Sequence, residues 1–181
     1  MSTLSIILIA IIVVLCAVVV WLLIARRRSM RLRSQFGPEY QRTVTEFGDR
    51  TKAERDLERR QKRVERLNIR TLPPATRERY LQDWKQDQAR FVDDPKGAVV
   101  DADRLVMNVM RERGYPVSDF EQRVDDVSVD HPHLVQNYRA AREIVVRQQR
   151  GQASTEDLRK ALVYYRALFD ELLETAPEVV R

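Results

Sequence analysis

The chain has 181 residues, a third of them charged, with a net charge of +5 and a single cysteine. One cysteine excludes an intramolecular disulfide, and the charge-rich, glycine-poor composition is typical of long exposed helices. The length is sufficient for one domain with its own core beyond any targeting segment.

The first element is an unbroken apolar run from residue 6 to residue 25. Twenty helical residues span about 30 Å, the thickness of the hydrocarbon core of a bilayer. The preceding MSTLS has no basic side chain, and the run is longer than the roughly 7–15 residues of a signal-peptide core. These features predict an uncleaved signal-anchor, residues 1–25, with Cys16 as an ordinary apolar position rather than a lipid attachment site.

Five arginines follow the apolar run within eight residues, and we call them the arginine collar. The positive-inside rule then places the N-terminus outside and residues 26–181 in the cytoplasm. The sequence therefore predicts a single-pass protein of the inner (plasma) membrane. The bilayer is a predicted partner, and anionic lipid headgroups are expected to contact every arginine of the collar: Arg26, Arg27, Arg28, Arg31 and Arg33.

A basic helical stem is predicted next, within a segment covering residues 26–74. Gly37-Pro38 bends the chain, and a long charged helix is expected from Glu39 to Asn68. Residues 26–70 hold fifteen basic and seven acidic residues, a net charge of +8, whereas residues 71–181 hold seventeen and twenty, a net charge of −3. A coiled-coil dimer of the stem is the alternative, but the apolar stripes are short and out of phase. Arg60 would also lie on the heptad seam and bring like charges together in a parallel dimer. We therefore expect residues 26–181 to be monomeric.

The remaining residues, 75–181, carry apolar positions three and four apart and no period-two alternation, which predicts an all-α fold. The helices are separated by short connections, so largely antiparallel neighbours in a small bundle are expected. Helix starts and stops are indicated by capping residues: Thr76, Asp94 with Pro95, Gly114, Ser118 with Glu121, Asp130 with Pro132, and Ser154 or Thr155.

Candidate chemistry is sparse. His131 and His133 lie two apart, a spacing that favours a helix N-terminus over a metal site. Asp93 and Asp94 suit a helix N-terminus, and Asp101 and Asp103 are expected on different faces. The sequence contains no nucleophile–base set and no phosphate loop, so no catalytic, cofactor-binding or metal-ligating residue is predicted and an enzyme is not expected. Residues 50–70 are basic but lack aromatic residues, so nucleic acid is not an expected partner.

Six segments together resemble a family of uncharacterised bacterial single-pass membrane proteins, some of them described as secreted: FGPEY (Phe36–Tyr40), FVDDP (Phe91–Pro95), RGYP (Arg113–Pro116), SVDHP (Ser128–Pro132), TEDLR (Thr155–Arg159) and YRALFDELL (Tyr165–Leu173). The resemblance implies no activity and no site residue. The predicted function is a membrane-tethered helical scaffold or protein-interaction module with an unknown protein partner. The alternative is a membrane-anchored regulator or enzyme whose site assembles only in the folded bundle.

Overall fold

The computed structural model describes the backbone of residues 3–174 and the side chains of residues 11–174. Within this range the chain forms helices and no strands, which confirms the all-α prediction. By its contacts the chain divides into two compact units, Met1–Leu57 and Glu58–Arg181. The helices are α1 (Thr3–Phe36), α2 (Pro38–Phe47), α3 (Arg50–Val64), α4 (Pro74–Arg90), α5 (Pro95–Arg113), α6 (Phe120–Asp130), α7 (Val135–Gln149) and α8 (Thr155–Glu174).

The predicted anchor falls within the N-terminal part of α1. Across the described residues, no helix is both long and apolar enough to cross a bilayer. The predicted transmembrane signal-anchor, the single-pass topology and the inner-membrane location are wrong on this finding. Residues 6–10 of the predicted anchor lie outside the described side chains.

Two glycines divide the first unit into three helices. Gly37 and Gly48 both have positive φ, 46° and 63°, a conformation that glycine adopts without the steric penalty of a Cβ. Pro38 occupies the first turn of α2, and the Gly48 amide donates to the Val44 carbonyl at 3.0 Å. The single stem helix predicted for Glu39–Asn68 is therefore wrong, because the left-handed turn at Gly48 separates α2 from α3.

The core of the second unit forms where α5 packs against α4 and α8, and α7 packs against α8. Helix α8 buries eight residues spaced three and four apart, as the periodicity predicts: Leu158, Ala161, Leu162, Tyr165, Leu168, Phe169, Leu172 and Leu173. The segment after α3 also contributes, because Leu67, Ile69 and Leu72 pack against this core. The amide of Arg70 donates to the carbonyl of Arg113 at 2.9 Å, which fixes the same segment to the end of α5.

The capping predictions hold at α5 and α8 and differ at α4, α6 and α7. Helix α4 begins at Pro74 with Pro73 at its N-cap, so Thr76 lies inside the first turn and does not cap the helix. Asp94 accepts a hydrogen bond from the Gly97 amide at 2.9 Å, and Gly114 closes α5 with φ at 100°. Ser154 Oγ accepts from the Asp157 amide at 3.1 Å. Asp119, rather than Ser118, caps α6. Helix α6 also continues through Asp130, so α7 begins at Val135 and not at the predicted Asp130.

Candidate functional site

A groove between α4 and α5, inside the second unit, is the candidate site. Its volume is about 290 Å³, close to the lower end of the roughly 300–1,000 Å³ that is usual for ligand sites. Three carboxylates, one guanidinium and two amides converge on it. The lining residues are Asp83, Gln86 and Asp87 from α4, and Asp101, Arg104, Leu105 and Asn108 from α5.

The rotation of α4 about its axis presents these carboxylates to α5. Trp84 is 3% exposed and stacks on Phe169 of α8, with ring centroids 4.7 Å apart. Asp83 and Asp87 are four residues apart and therefore share one face of the helix, beside the buried face that Trp84 occupies. On α5, Asp101 and Arg104 lie one turn apart on the side that faces this groove.

Asp101 is neutralised by two arginines. Arg104 Nη1 donates to Asp101 Oδ1 at 2.6 Å, and Arg90 Nη1 donates to Asp101 Oδ2. The second amino group of Arg90 donates to Asp94 Oδ2 at 2.8 Å, so this guanidinium is shared between two carboxylates. The arginine charge at the groove is therefore already committed to Asp101 and Asp94.

Asp83 and Asp87 carry the unbalanced negative charge of the groove. Neither side chain has a hydrogen bond or an ion pair with any residue that the structure describes. Burial, followed by the negative charges of Asp101 and Asp83, raises the pKa of Asp87 to about 6, while Arg90 and Arg104 oppose the increase. A carboxyl with a pKa perturbed by burial and by neighbouring charge, lying in a groove, is a physical indicator of a functional site.

The arginine collar and the aspartates Asp101 and Asp103 are among the positions that the sequence analysis discussed as candidates. All five arginines of the collar are exposed on α1, while Ser29 and Leu32 between them are buried. The predicted contact of these arginines with anionic lipid stays a prediction. Asp101 faces the groove, whereas Asp103 is buried with its Oδ2 3.8 Å from Arg142 Nη1, which confirms that the two carboxylates lie on different faces.

The two histidines occupy different environments. His133 is exposed, whereas His131 is buried at the C-cap of α6, with Nδ1 3.3 Å from Glu171 Oε1. Burial lowers the pKa of His131, although Asp130 and Glu171 act in the opposite direction. The prediction that His131 begins a helix is wrong, since it follows α6. Within the described side chains, no group of three or more His, Cys, Asp or Glu residues is arranged to hold a metal ion.

A polar cluster joins the three helices of the first unit. Ser29 Oγ and Tyr40 Oη donate to Glu54 Oε1 at 2.6 and 2.7 Å, and Arg50 Nε donates to the same oxygen at 2.9 Å. Burial would raise the pKa of Glu54, but these three hydrogen bonds outweigh it, and the pKa is lowered. We call Ser29, Tyr40, Arg50 and Glu54 the first-unit cluster.

Asp83, Asp87 and the first-unit cluster are not among the site residues that the sequence predicts. The i,i+4 spacing of Asp83 and Asp87, an unfavourable like-charge pair on one helix face, was the available signal. Arg50 and Glu54 also lie four residues apart, and this spacing indicated an ion pair between two of the four cluster residues. Nothing local indicated Ser29 or Tyr40, because their meeting depends on the turns at Gly37 and Gly48.

Comparison of this chain with protein-family models, with curated proteins and with solved structures found no match. The family resemblance seen in the sequence stays a prediction.

Proposed function

We propose that this protein is a helical protein-interaction module, and that the groove between α4 and α5 binds a cationic side chain of its protein partner. The observation that supports this proposal is the pair of aspartates, Asp83 and Asp87, which line the groove and make no hydrogen bond or ion pair with any described residue. Like charges at i,i+4 destabilise a helix. A lysine or arginine from a partner relieves that repulsion and neutralises both carboxylates at once.

The geometry of the groove favours one cationic side chain together with its flanking backbone. Asp101 is already paired with Arg90 and Arg104, so the ligand charge is drawn to the α4 side of the groove. Gln86 and Asn108 lie at the same groove and carry amides that can donate to and accept from a peptide backbone. Charge complementarity of this kind gives specificity and association rate more than raw affinity.

The helices α4 to α8 serve in this proposal as the bundle that holds the groove in shape. The contacts of α5 with both α4 and α8 support it, as does the stacking of Trp84 on Phe169. A recognition surface on rigid helices loses little conformational freedom when a partner binds.

The test uses the full chain and a hexapeptide that contains one unmodified lysine and is acetylated at its N-terminus. Binding is measured by calorimetry at constant ionic strength. We expect the Asp83→Asn/Asp87→Asn double variant to lose about tenfold in affinity or more, because two charge-assisted contacts are removed. Glu78→Gln is the matched control, since Glu78 is an exposed acid of the same helix. An equal loss in the control variant would show that the peptide responds only to net charge.

A regulator or enzyme with a site formed by the folded chain is the second candidate. Asp87 favours it, because a carboxyl with a pKa of about 6 can exchange a proton near neutral pH. Mass spectrometry of the peptide after prolonged incubation separates the two candidates. An unaltered peptide supports binding alone, whereas a chemical change that Asp87→Asn abolishes supports catalysis.

A further inference from the structure

A second, smaller pocket lies in the first unit, where α1, α2 and α3 meet. Its volume is about 170 Å³, and its lining residues are Arg33, Tyr40, Gln41, Val44 and Arg50. Sites for drug-sized ligands usually occupy roughly 300–1,000 Å³, so this pocket fits a small ion or a single functional group. The lining carries two guanidinium groups and no carboxylate.

Arg50 is held in position by the first-unit cluster. Its Nε donates to Glu54 Oε1 at 2.9 Å and to Tyr40 Oη at 3.1 Å, and its Nη2 donates to Ser29 Oγ. One edge of the guanidinium is thus fixed, while Nη1 has no hydrogen-bond partner among the described residues. A guanidinium fixed in this way loses little rotamer freedom when it binds a ligand.

Arg33 and Gln41 complete the set of donors. Among the arginines of the collar, Arg33 is the one that lines this pocket. Its side chain is exposed and makes no ion pair within the part of the chain that the structure describes. The side-chain amide of Gln41 is also exposed and makes no hydrogen bond with a described residue. The charge of Arg50 is balanced by Glu54, whereas the charge of Arg33 is not balanced.

We propose that this pocket binds a phosphate group through Arg33, Arg50 and the Gln41 amide. Guanidinium forks match the geometry of phosphate oxygens and form charge-assisted hydrogen bonds with them. The Tyr40 ring and Val44 form the less polar wall, against which the substituent of a phosphate ester can lie. The phosphate can belong to a free phosphate compound or to a lipid headgroup, and the proposal does not depend on the proposed function of the groove in the second unit.

The experiment measures binding of inorganic phosphate to the full chain by calorimetry at constant ionic strength. Arg33→Gln should weaken binding about tenfold, the effect of losing one charge-assisted contact. Arg50→Gln should weaken it at least as much, with helical content checked by circular dichroism because Arg50 also holds the cluster together. Arg27→Gln, which removes the same charge from α1 outside the pocket, should change the affinity less than about twofold.

A second arm uses dihexanoyl phosphatidic acid, a water-soluble short-chain lipid, below its micelle concentration. Tighter binding than inorganic phosphate assigns the site to a lipid headgroup, and equal binding assigns it to a free phosphate compound. The proposal is overturned if neither probe binds, or if Arg27→Gln weakens binding as much as Arg33→Gln does.

Discussion

Replacing Asp87 with asparagine tests the electrostatic strain that we assign to the groove. The pKa of Asp87 is raised to about 6 from its ordinary value of 3.8, first by burial and then by the charges of Asp101 and Asp83. The folded chain therefore holds this proton more tightly than the unfolded chain does. It follows that the free energy of unfolding decreases as the pH rises from about 4 to about 6 and is level above that range.

The magnitude follows from the same values. The full difference in pKa corresponds to roughly 3 kcal/mol, and because the Asp87 side chain is only half-buried, solvent screening reduces this to about 1 kcal/mol. Asparagine keeps the shape of the side chain and cannot ionise. We compare the free energy of unfolding of Asp87→Asn with that of the wild type at each pH. Between pH 4 and pH 8 this difference should shift by about 1 kcal/mol in favour of the variant.

Urea denaturation monitored by circular dichroism at pH 4, 5, 6 and 8 measures this difference. Glu78→Gln serves as the control, because it removes one negative charge from the exposed side of α4. If Asp87→Asn and the wild type lose stability in parallel across this pH range, the carboxyl is not strained and the reasoning about the groove fails.

Three further predictions concern other parts of the chain. Gly114→Ala should destabilise by about 2 kcal/mol or more, measured by urea denaturation, because φ is 100° and a Cβ would lie 2.5 Å from the Asn68 carbonyl oxygen; an unchanged midpoint would contradict this. Leu162→Asp should abolish the cooperative thermal transition, since Leu162 is 8% exposed and an unpaired charge would enter the core, whereas Val163→Asp, at a position 60% exposed, should leave it nearly unchanged. Replacing all five collar arginines with glutamine should weaken sedimentation with anionic vesicles, and added salt should weaken that of the wild type; equal sedimentation with neutral vesicles would refute the lipid prediction.

Much of the second unit could be predicted from sequence because its signals are local. Asp94 followed by Pro95 marks the start of α5, Gly114 marks its end, and the three- and four-residue spacing in α8 identifies its buried face. Each of these signals acts over one or two helical turns. A single sequence therefore contains the information needed to place these elements.

The candidate site could not be predicted because it depends on contacts between distant residues. Asp87 meets Asp101 only because Trp84 stacks on Phe169, 85 positions further along the chain, and this contact fixes the rotation of α4. The α6–α7 boundary was missed for a related reason. Pro132 suggested a first helical turn, but the His131 amide continues α6 by donating to Val127 at 2.8 Å.

The packing of α5 against both α4 and α8 has a consequence for the kinetics of folding. The α7–α8 pair is joined by a connection of five residues, Arg150–Ser154, and can associate at little cost in loop closure. Helix α5 reaches α8 only after a separation of more than forty residues, so this contact forms later and more slowly. During synthesis, the apolar face of α5 stays uncovered on that side until α8 has been made. Chaperone binding and proteolysis of nascent chains should therefore be concentrated on α5.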